Sequence, residues 1–297
     1  MPALVTGILT LTPTHPGSGQ ASAAVDLPIA RDPTTGFPIL PATALKGVAR
    51  AALEAIDTDF VKRAFGPELE PGSNEVLVAG TLVFGEGQLL LYPLRALHRP
   101  VVYATCPLLL QRWDRSLRAF GGPGARAAFY AARDAVREKG AEKGAEAAAA
   151  VAPTGALVIE DVALPKSAVR ALKEPEKLAT YLGSFLPPEE ADLAAELKAG
   201  LVVLSDELFA RVLRRAIPVQ TRIRLNDQKT TTGGGGNLWY EEYLPPEVLF
   251  GVVIGERSGG AVTALEGRFK RLNLVQVGGN ETVGMGRVAW TLKETIP

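Results

Sequence analysis

One stretch of this chain has a periodicity that admits a single reading. Between Thr43 and Ile56 the apolar residues Leu45, Val48, Ala49, Ala52, Leu53 and Ile56 recur at the i, i+3, i+4, i+7 spacing of a helix with one buried face. Thr43 is the expected N-cap, and Lys46 and Arg50 lie four residues apart on the opposite face. Before this helix the pattern is extended. Leu4 to Thr12 is rich in β-branched residues, which favour a pleated strand, and Pro13, Pro16, Gly17 and Gly19 end it. A helix with an apolar stripe must cover it with something, and strands on both sides in sequence point to an α+β fold.

Further along, Val76 to Phe84 and Gln88 to Leu94 read as a strand pair turning at Gly85-Glu86-Gly87. Residues 124 to 150 are Ala-rich with interspersed Arg, Glu and Lys, which predicts a helix broken or frayed at Gly140 and Gly144. Helical patterns return between Lys166 and Gly200 and again from Asp206 to Arg215. This middle region reads as an insertion carried by the core. Residues 218 to 246 differ: Val219 to Leu225 alternates like an exposed strand, and Thr230 to Thr232 with Gly233 to Gly236 make a tip that cannot pack tightly. Leu238 to Leu244 then returns, so a long projecting hairpin is expected. The last segment reads as strand (Leu272 to Val277), glycine loop (Gly278 to Gly286) and strand (Val288, Trp290 and Leu292 alternating). The order strand, helix, strands, helices, strand fits a sheet packed against helices on one face.

Apolar runs such as Leu89 to Leu91 and Leu108 to Leu110 are far too short to cross a bilayer, so no membrane role is expected. Cys106 is the only cysteine, which leaves no intrachain disulfide or cysteine-rich zinc site and makes the cytoplasm the expected compartment. Lys plus Arg and Asp plus Glu both number 32. A zero sum weighs against nucleic-acid binding, yet phosphate binding follows local potential and a neutral chain can carry a basic stripe.

Four groups of residues carry candidate chemistry. The loop Gly278 to Gly286 reads as a tight turn between strands or as a backbone cradle for phosphate. It lacks the GK[ST] of a nucleotide-binding loop and precedes a strand, so an ATPase or dinucleotide reading is poor. Lys46 near a helix N-terminus suits a phosphate, and with Arg50 it also suits an ordinary solvated face. His15 and Asp26 lie in loops beside the first strand, where they offer acid–base groups for an RNA 2′-hydroxyl or serve as a surface residue and a turn cap. Arg222, Arg224 and Lys229 with Trp239 and Tyr240 give the hairpin charge and stacking surface suited to single-stranded RNA, or a subunit contact. Glu241 and Glu242 are adjacent on a strand, so at most one of them faces any given site.

In this order the segments resemble the RAMP superfamily. The resemblance rests on Asp26-Leu27-Pro28-Ile29-Ala30-Arg31-Asp32, Thr35-Gly36-Phe37-Pro38-Ile39-Leu40-Pro41 and Leu45-Lys46-Gly47-Val48-Ala49-Arg50. It continues through Leu91 to Leu97, Thr105-Cys106-Pro107, Leu201 to Glu207, Thr221-Arg222-Ile223 and Tyr240 to Pro245, and closes on Gly278 to Val288. Within the superfamily it is similar to the repeated backbone subunits of type III-B CRISPR (Cmr) effector complexes. One departure is Phe84-Gly85-Glu86-Gly87-Gln88, where such proteins usually carry an Asp-Ala turn.

The resemblance implies a single domain over 1–297. Its parts are an RRM/ferredoxin-like palm (1–120 and 247–297), a helical insertion (121–217) and a protruding β-hairpin thumb (218–246). It implies copies stacked on a CRISPR guide RNA beside other Cmr subunits, with cleavage of guide-paired target RNA at regular intervals. Lys46, Arg50, Arg222, Arg224 and the loop residues Gly278, Gly279, Asn280, Glu281, Thr282, Gly284 and Gly286 would contact RNA. Asp26 would be catalytic, with His15, Glu241 and Tyr243 as neighbours, and would bind a divalent ion (Mg or Mn) loosely in the presence of RNA. The rival readings are a structural guide-RNA filament subunit, a guide-processing nuclease and, more distantly, a small-molecule enzyme.

Overall fold

A strand buried along both faces organises the molecule. All eight residues of β1 (Ala3–Thr10) are buried, and so are all eight of β13 (Leu249–Glu256), its antiparallel neighbour. The computed structural model describes residues 2–20, 24–67, 78–137, 148–151, 155–172, 174–231 and 238–296. From the N-terminus, β1 is followed by β2 (Ile39–Leu40), α1 (Ala42–Glu54), α2 (Thr58–Phe65), β3 (Leu82–Phe84), β4 (Gly87–Arg95) and β5 (Val101–Thr105). Next come α3 (Pro107–Ala119), α4 (Arg126–Val136), β6 (Ala148–Ala150), β7 (Leu157–Ile159), β8 (Val162–Leu164) and β9 (Val169–Ala171). Then follow α5 (Pro175–Gly183), α6 (Ala191–Gly200), β10 (Leu201–Leu204), α7 (Asp206–Ala216), β11 (Val219–Ile223) and β12 (Leu238–Glu242). The last elements are β13, α8 (Ala261–Arg268), β14 (Leu274–Gln276) and β15 (Arg287–Ile296).

The main sheet runs β14-β15-β1-β13-β4-β5-β10-β6-β9, with β2 added to β4 and β3 to β13. It is mixed: β5 and β10 are parallel, as are β6 and β9, and the remaining pairs are antiparallel. The two faces of β1 feed different cores. Leu4 and Ile8 join α1, α2, α7 and α8, while Ala3, Val5 and Leu9 join α4, α5 and α6. Helices therefore cover both faces, where the sequence pattern placed them on one. Gly7 and Gly251 are paired across β1 and β13, and a Cβ at Gly7 would fall 2.1 Å from the Phe185 carbonyl oxygen. That close approach seats Phe185 and Trp113, stacked edge-on with centroids 5.6 Å apart, on the sheet.

Three local expectations are corrected. The helix at 42–54 starts one residue before Thr43, with Pro41 at the N-cap and no side-chain cap, and Ile56 lies beyond its end, exposed. Leu45, Ala49 and Leu53 are its buried stripe. The segments around Gly85 to Gly87 do not form a hairpin. Both β3 and β4 run antiparallel to β13, so they are two pieces of one interrupted line, and the Gly85 amide spans the gap by donating to the Val253 carbonyl at 2.8 Å. The stretch 121–217 is not purely helical: β10, β6 and β9 extend the main sheet, and β7 and β8 form their own antiparallel pair. The expected break at Gly140 and Gly144 and the tip from Thr232 to Gly236 lie outside the described residues.

Candidate functional site

The strands β11 and β12 pair antiparallel from Val219–Glu242 to Ile223–Leu238 and form a small sheet of their own. Alternation gives the two faces opposite characters. One face carries Val219, Ile223, Leu238 and Tyr240, all exposed. The other carries Arg222 and Glu241 and turns towards the body.

Glu241 is the hub of that inner face, with its side chain 3% exposed. Its Oε2 accepts from Arg222 Nε at 2.6 Å and its Oε1 accepts from the Asn280 amide of the glycine loop. Arg222 Nη2 also donates to Met285 Sδ, at 2.9 Å. His15 comes from the first loop, with Nδ1 2.6 Å from the Glu242 carbonyl and 3.6 Å from Glu241 Oε1. A carbonyl only accepts, so Nδ1 carries the proton. Three segments far apart in sequence thus meet on one carboxylate. They are further joined through the backbone: the Gly279 amide donates to the His15 carbonyl (3.1 Å) and the Gly286 amide to the Pro13 carbonyl (2.8 Å). Gly278 has φ +83°, and a Cβ there would sit 2.2 Å from the His15 carbonyl oxygen, so glycine is required on both counts.

The Asp26 loop lies along β12. Leu27 donates to the Tyr240 carbonyl and accepts from the Glu242 amide, each at 3.0 Å. Glu242 points away from the hub: its carboxylate accepts from the Ile29 amide at 3.0 Å and from Arg31 Nη2 at 2.8 Å. The two adjacent carboxylates therefore face different sites, as strand geometry requires. Asp26 itself is exposed, and its Oδ2 accepts from the Tyr240 amide at 2.8 Å. Among the described residues no partner binds its Oδ1. Asp32, further along the loop, is held well below the usual carboxylate range. Burial pushes it up, but hydrogen bonds from Thr34 and Thr35 and the nearby Arg112 outweigh this.

Lys46 and Arg50 sit apart from this hub, on α1. Lys46 lines a cleft of about 600 Å³ with Ala42, Thr43, Gly66 and Arg257. Arg50 donates to the Gly66 carbonyl at 2.7 Å and pairs with Glu54 at 3.5 Å. Burial lowers the Lys46 ammonium's pKa, and repulsion from Arg50 and Arg257 lowers it further. Among the described residues Lys46 and Arg257 have no carboxylate partner, so the described lining of the cleft carries positive charge in a neutral chain.

The structure thus brings together His15, Arg222, Glu241, Asn280 and the glycines, with Asp26 on the same strand's edge. It leaves Arg224, Glu281, Thr282 and Gly284 exposed and Tyr243 half-buried, its amide donating to the Pro218 carbonyl at 3.2 Å. Arg31 and Arg257 were not singled out in the sequence, although Arg31 lies inside the quoted signature run; Glu242 was weighed beside Glu241, but its bonds to Ile29 and Arg31 were not foreseen. Among the described residues no three of His, Cys, Asp and Glu group closely enough to hold a metal ion. One exposed carboxylate oxygen fits a divalent cation bound loosely and completed by other oxygen donors, and does not fit a tightly held resident metal.

The fold agrees with comparison to known proteins. The RAMP superfamily model matches residues 8–289, and the chain belongs to that superfamily. Its similarity runs to the CRISPR system Cmr endoribonuclease Cmr4 of Pyrococcus furiosus, 32% identical over 99% of this chain and 97% of that protein. The crystal structure of oligomeric Cmr4 from Pyrococcus furiosus has the same fold, with a TM-score of 0.71, 24% identity and coverage of 100% and 99% of the two chains. So does a chain of the type III-B Cmr-beta complex bound to cognate target RNA, with a TM-score of 0.76, 21% identity and coverage of 97% and 96%. No helix among the described residues is long and apolar enough to cross a membrane.

Proposed function

We propose that this chain is the repeated, guide-RNA-binding backbone subunit of a type III-B CRISPR effector complex in the cytoplasm, and that it cuts guide-paired target RNA at Asp26. The near full-length likeness to a Cmr endoribonuclease supports the assembly: copies of this chain along one guide RNA, with other Cmr subunits and a target RNA. In that reading the palm spans 1–120 and 247–297, the insertion 121–217 and the hairpin thumb 218–246.

One observation carries the nuclease reading. Asp26 is exposed on the flank of the hairpin with one carboxylate oxygen fixed by the Tyr240 amide, while Glu241 ties the same strand to the glycine loop. A guide held by that loop, by Arg224 and by the Lys46 cleft is thereby set at a constant offset from Asp26. The thumb splays one target nucleotide, which lets its 2′-hydroxyl line up with the adjacent phosphorus and the leaving 5′-oxygen. Asp26 takes the 2′-hydroxyl proton as that oxygen bonds to phosphorus, while the bond from phosphorus to the 5′-oxygen breaks and the leaving oxygen takes a proton from solvent. Magnesium or manganese, held loosely by Asp26 and by RNA, would neutralise charge on the phosphate. Glu241 and His15 hold the frame around this centre, and Tyr243 borders it.

The test is target cleavage by the reconstituted complex with Asp26→Asn at matched RNA binding. Regularly spaced cuts should fall by about 100- to 10,000-fold with guide and target affinity intact. Unchanged cutting would leave a structural guide-binding subunit and move catalysis elsewhere in the assembly.

A further inference from the structure

We infer that Arg31 and Glu242 are positioning residues that set the place of Asp26 by clamping its loop to β12, an inference that rests on the nuclease reading of Asp26.

Asp26 has little of its own to hold it: one side-chain hydrogen bond, to the Tyr240 amide, from an exposed position. The segment that follows it is held firmly. Leu27 bonds to β12 through both its amide and its carbonyl. Two residues on, the Ile29 amide donates to Glu242 Oε2, and two further, Arg31 Nη2 donates to Glu242 Oε1. Arg31 Nη1 reaches the Gly36 carbonyl at 3.2 Å, so the guanidinium also closes the turn beyond. Both oxygens of Glu242 are thus spent on the Asp26 loop, and its own amide on Leu27. The side chains of Arg31 and Glu242 are only 26% and 13% exposed, which shields the pair from solvent screening.

Glu242 without its charge would leave the guanidinium half-buried and unpaired, and without its oxygens would orphan the Ile29 amide. Either change loosens the anchored stretch that follows Asp26. Glu241, its neighbour, points to the glycine loop instead, so the adjacent carboxylates divide the work: one fixes the hairpin to the body, the other fixes the Asp26 loop to the hairpin. A displacement of about 1 Å in a reacting group can lower a rate by about 100-fold.

The experiment compares Arg31→Met, Arg31→Lys and Glu242→Gln with Asp26→Asn in the reconstituted effector complex. It reads single-turnover cleavage, guide loading and target affinity, with hydrogen–deuterium exchange of residues 24–31. Arg31→Met should slow cleavage by about 100-fold with loading and affinity unchanged and with faster exchange confined to that loop. Arg31→Lys and Glu242→Gln, which keep part of the clamp, should fall between it and the wild type. Wild-type cleavage in Arg31→Met beside a dead Asp26→Asn would overturn the clamp and leave the nuclease reading standing. Loss of guide loading in the Arg31 and Glu242 variants would also overturn it, since that marks a general structural role. Full cleavage in Asp26→Asn would overturn the nuclease reading itself.

Discussion

Replacing Glu241 with alanine removes the carboxylate on which the hairpin, the glycine loop and the first loop converge. Its side chain is 3% exposed and that of Arg222 is 19% exposed, so solvent cannot readily replace what is lost. The charge-assisted bond to Arg222 is worth about 1.5 to 3 kcal/mol, and the Asn280 amide left without an acceptor costs about 1 kcal/mol or more. Arg222 retains its Met285 contact and can swing towards water, which places the total near 3 kcal/mol rather than higher. With an unfolding entropy of about 2.1 cal/mol/K per residue over 297 residues, that corresponds to a fall in melting temperature of about 5 °C. Asn280→Ala alone should cost about 1.5 kcal/mol, because only one of the three links is cut. If Glu241 is the shared partner, the double variant should be no less stable than Glu241→Ala, a coupling of at least about 1 kcal/mol. Thermal and urea melts of the four proteins measure it. Losses that simply add, within about 0.5 kcal/mol, would refute the hub.

Two other outcomes follow from the electrostatics. Lys46→Ala and Arg257→Ala should each weaken guide-RNA binding for every sequence and lower the slope of log affinity against log salt by about 1, since both cations line one cleft with no carboxylate among its described lining residues; an unchanged slope would mean that no phosphate sits there. Asp32, depressed below its ordinary 3.8, contributes stability that is fully present above that value and is lost as the pH falls through the lower native value. Asp32→Asn keeps the turn acceptor but loses the charge that Arg112 pairs at 3.0 Å, so it should destabilise the fold at pH 7 with a gap that shrinks below pH 4 in urea melts, and a pH-independent gap would contradict this.

Local signals in the sequence located local structure. The apolar spacing of 45, 49 and 53 marked the buried stripe of α1, and alternation marked β11 and β12, because each depends on near neighbours in the chain. Gly85-Glu86-Gly87 misled for the converse reason: two glycines look like a turn, but the pairing of β3 and β4 is decided by β13, more than 150 residues away. Ala148–Ala150 has no strand preference of its own and is a strand because β10 and β9 flank it. At the site, family resemblance pointed to Asp26, His15, Glu241 and the glycine loop. It gave no partner for any of them, since a contact among residues 15, 222, 241 and 280 leaves no trace in spacing. Strand alternation did separate Glu241 from Glu242, although what each would bind had to come from the fold.

The place of β1 between β13 and β15 also sets a clock. Leu4 pairs with Ile254 and Thr10 with Val288, so β1 has neither of its sheet neighbours until residues near 249 to 296 have emerged. At about 5 to 20 residues per second, translation leaves that strand waiting roughly 12 to 50 seconds. A strand destined for burial on both faces is then an aggregation hazard, and pairings this distant close slowly even once both partners exist. The glycine loop reaches its final form only with them, because its amides bond to the carbonyls of His15 and Pro13 just beyond β1. A nascent chain therefore cannot complete its glycine loop early, although the carbonyls that the loop bonds are made long before it.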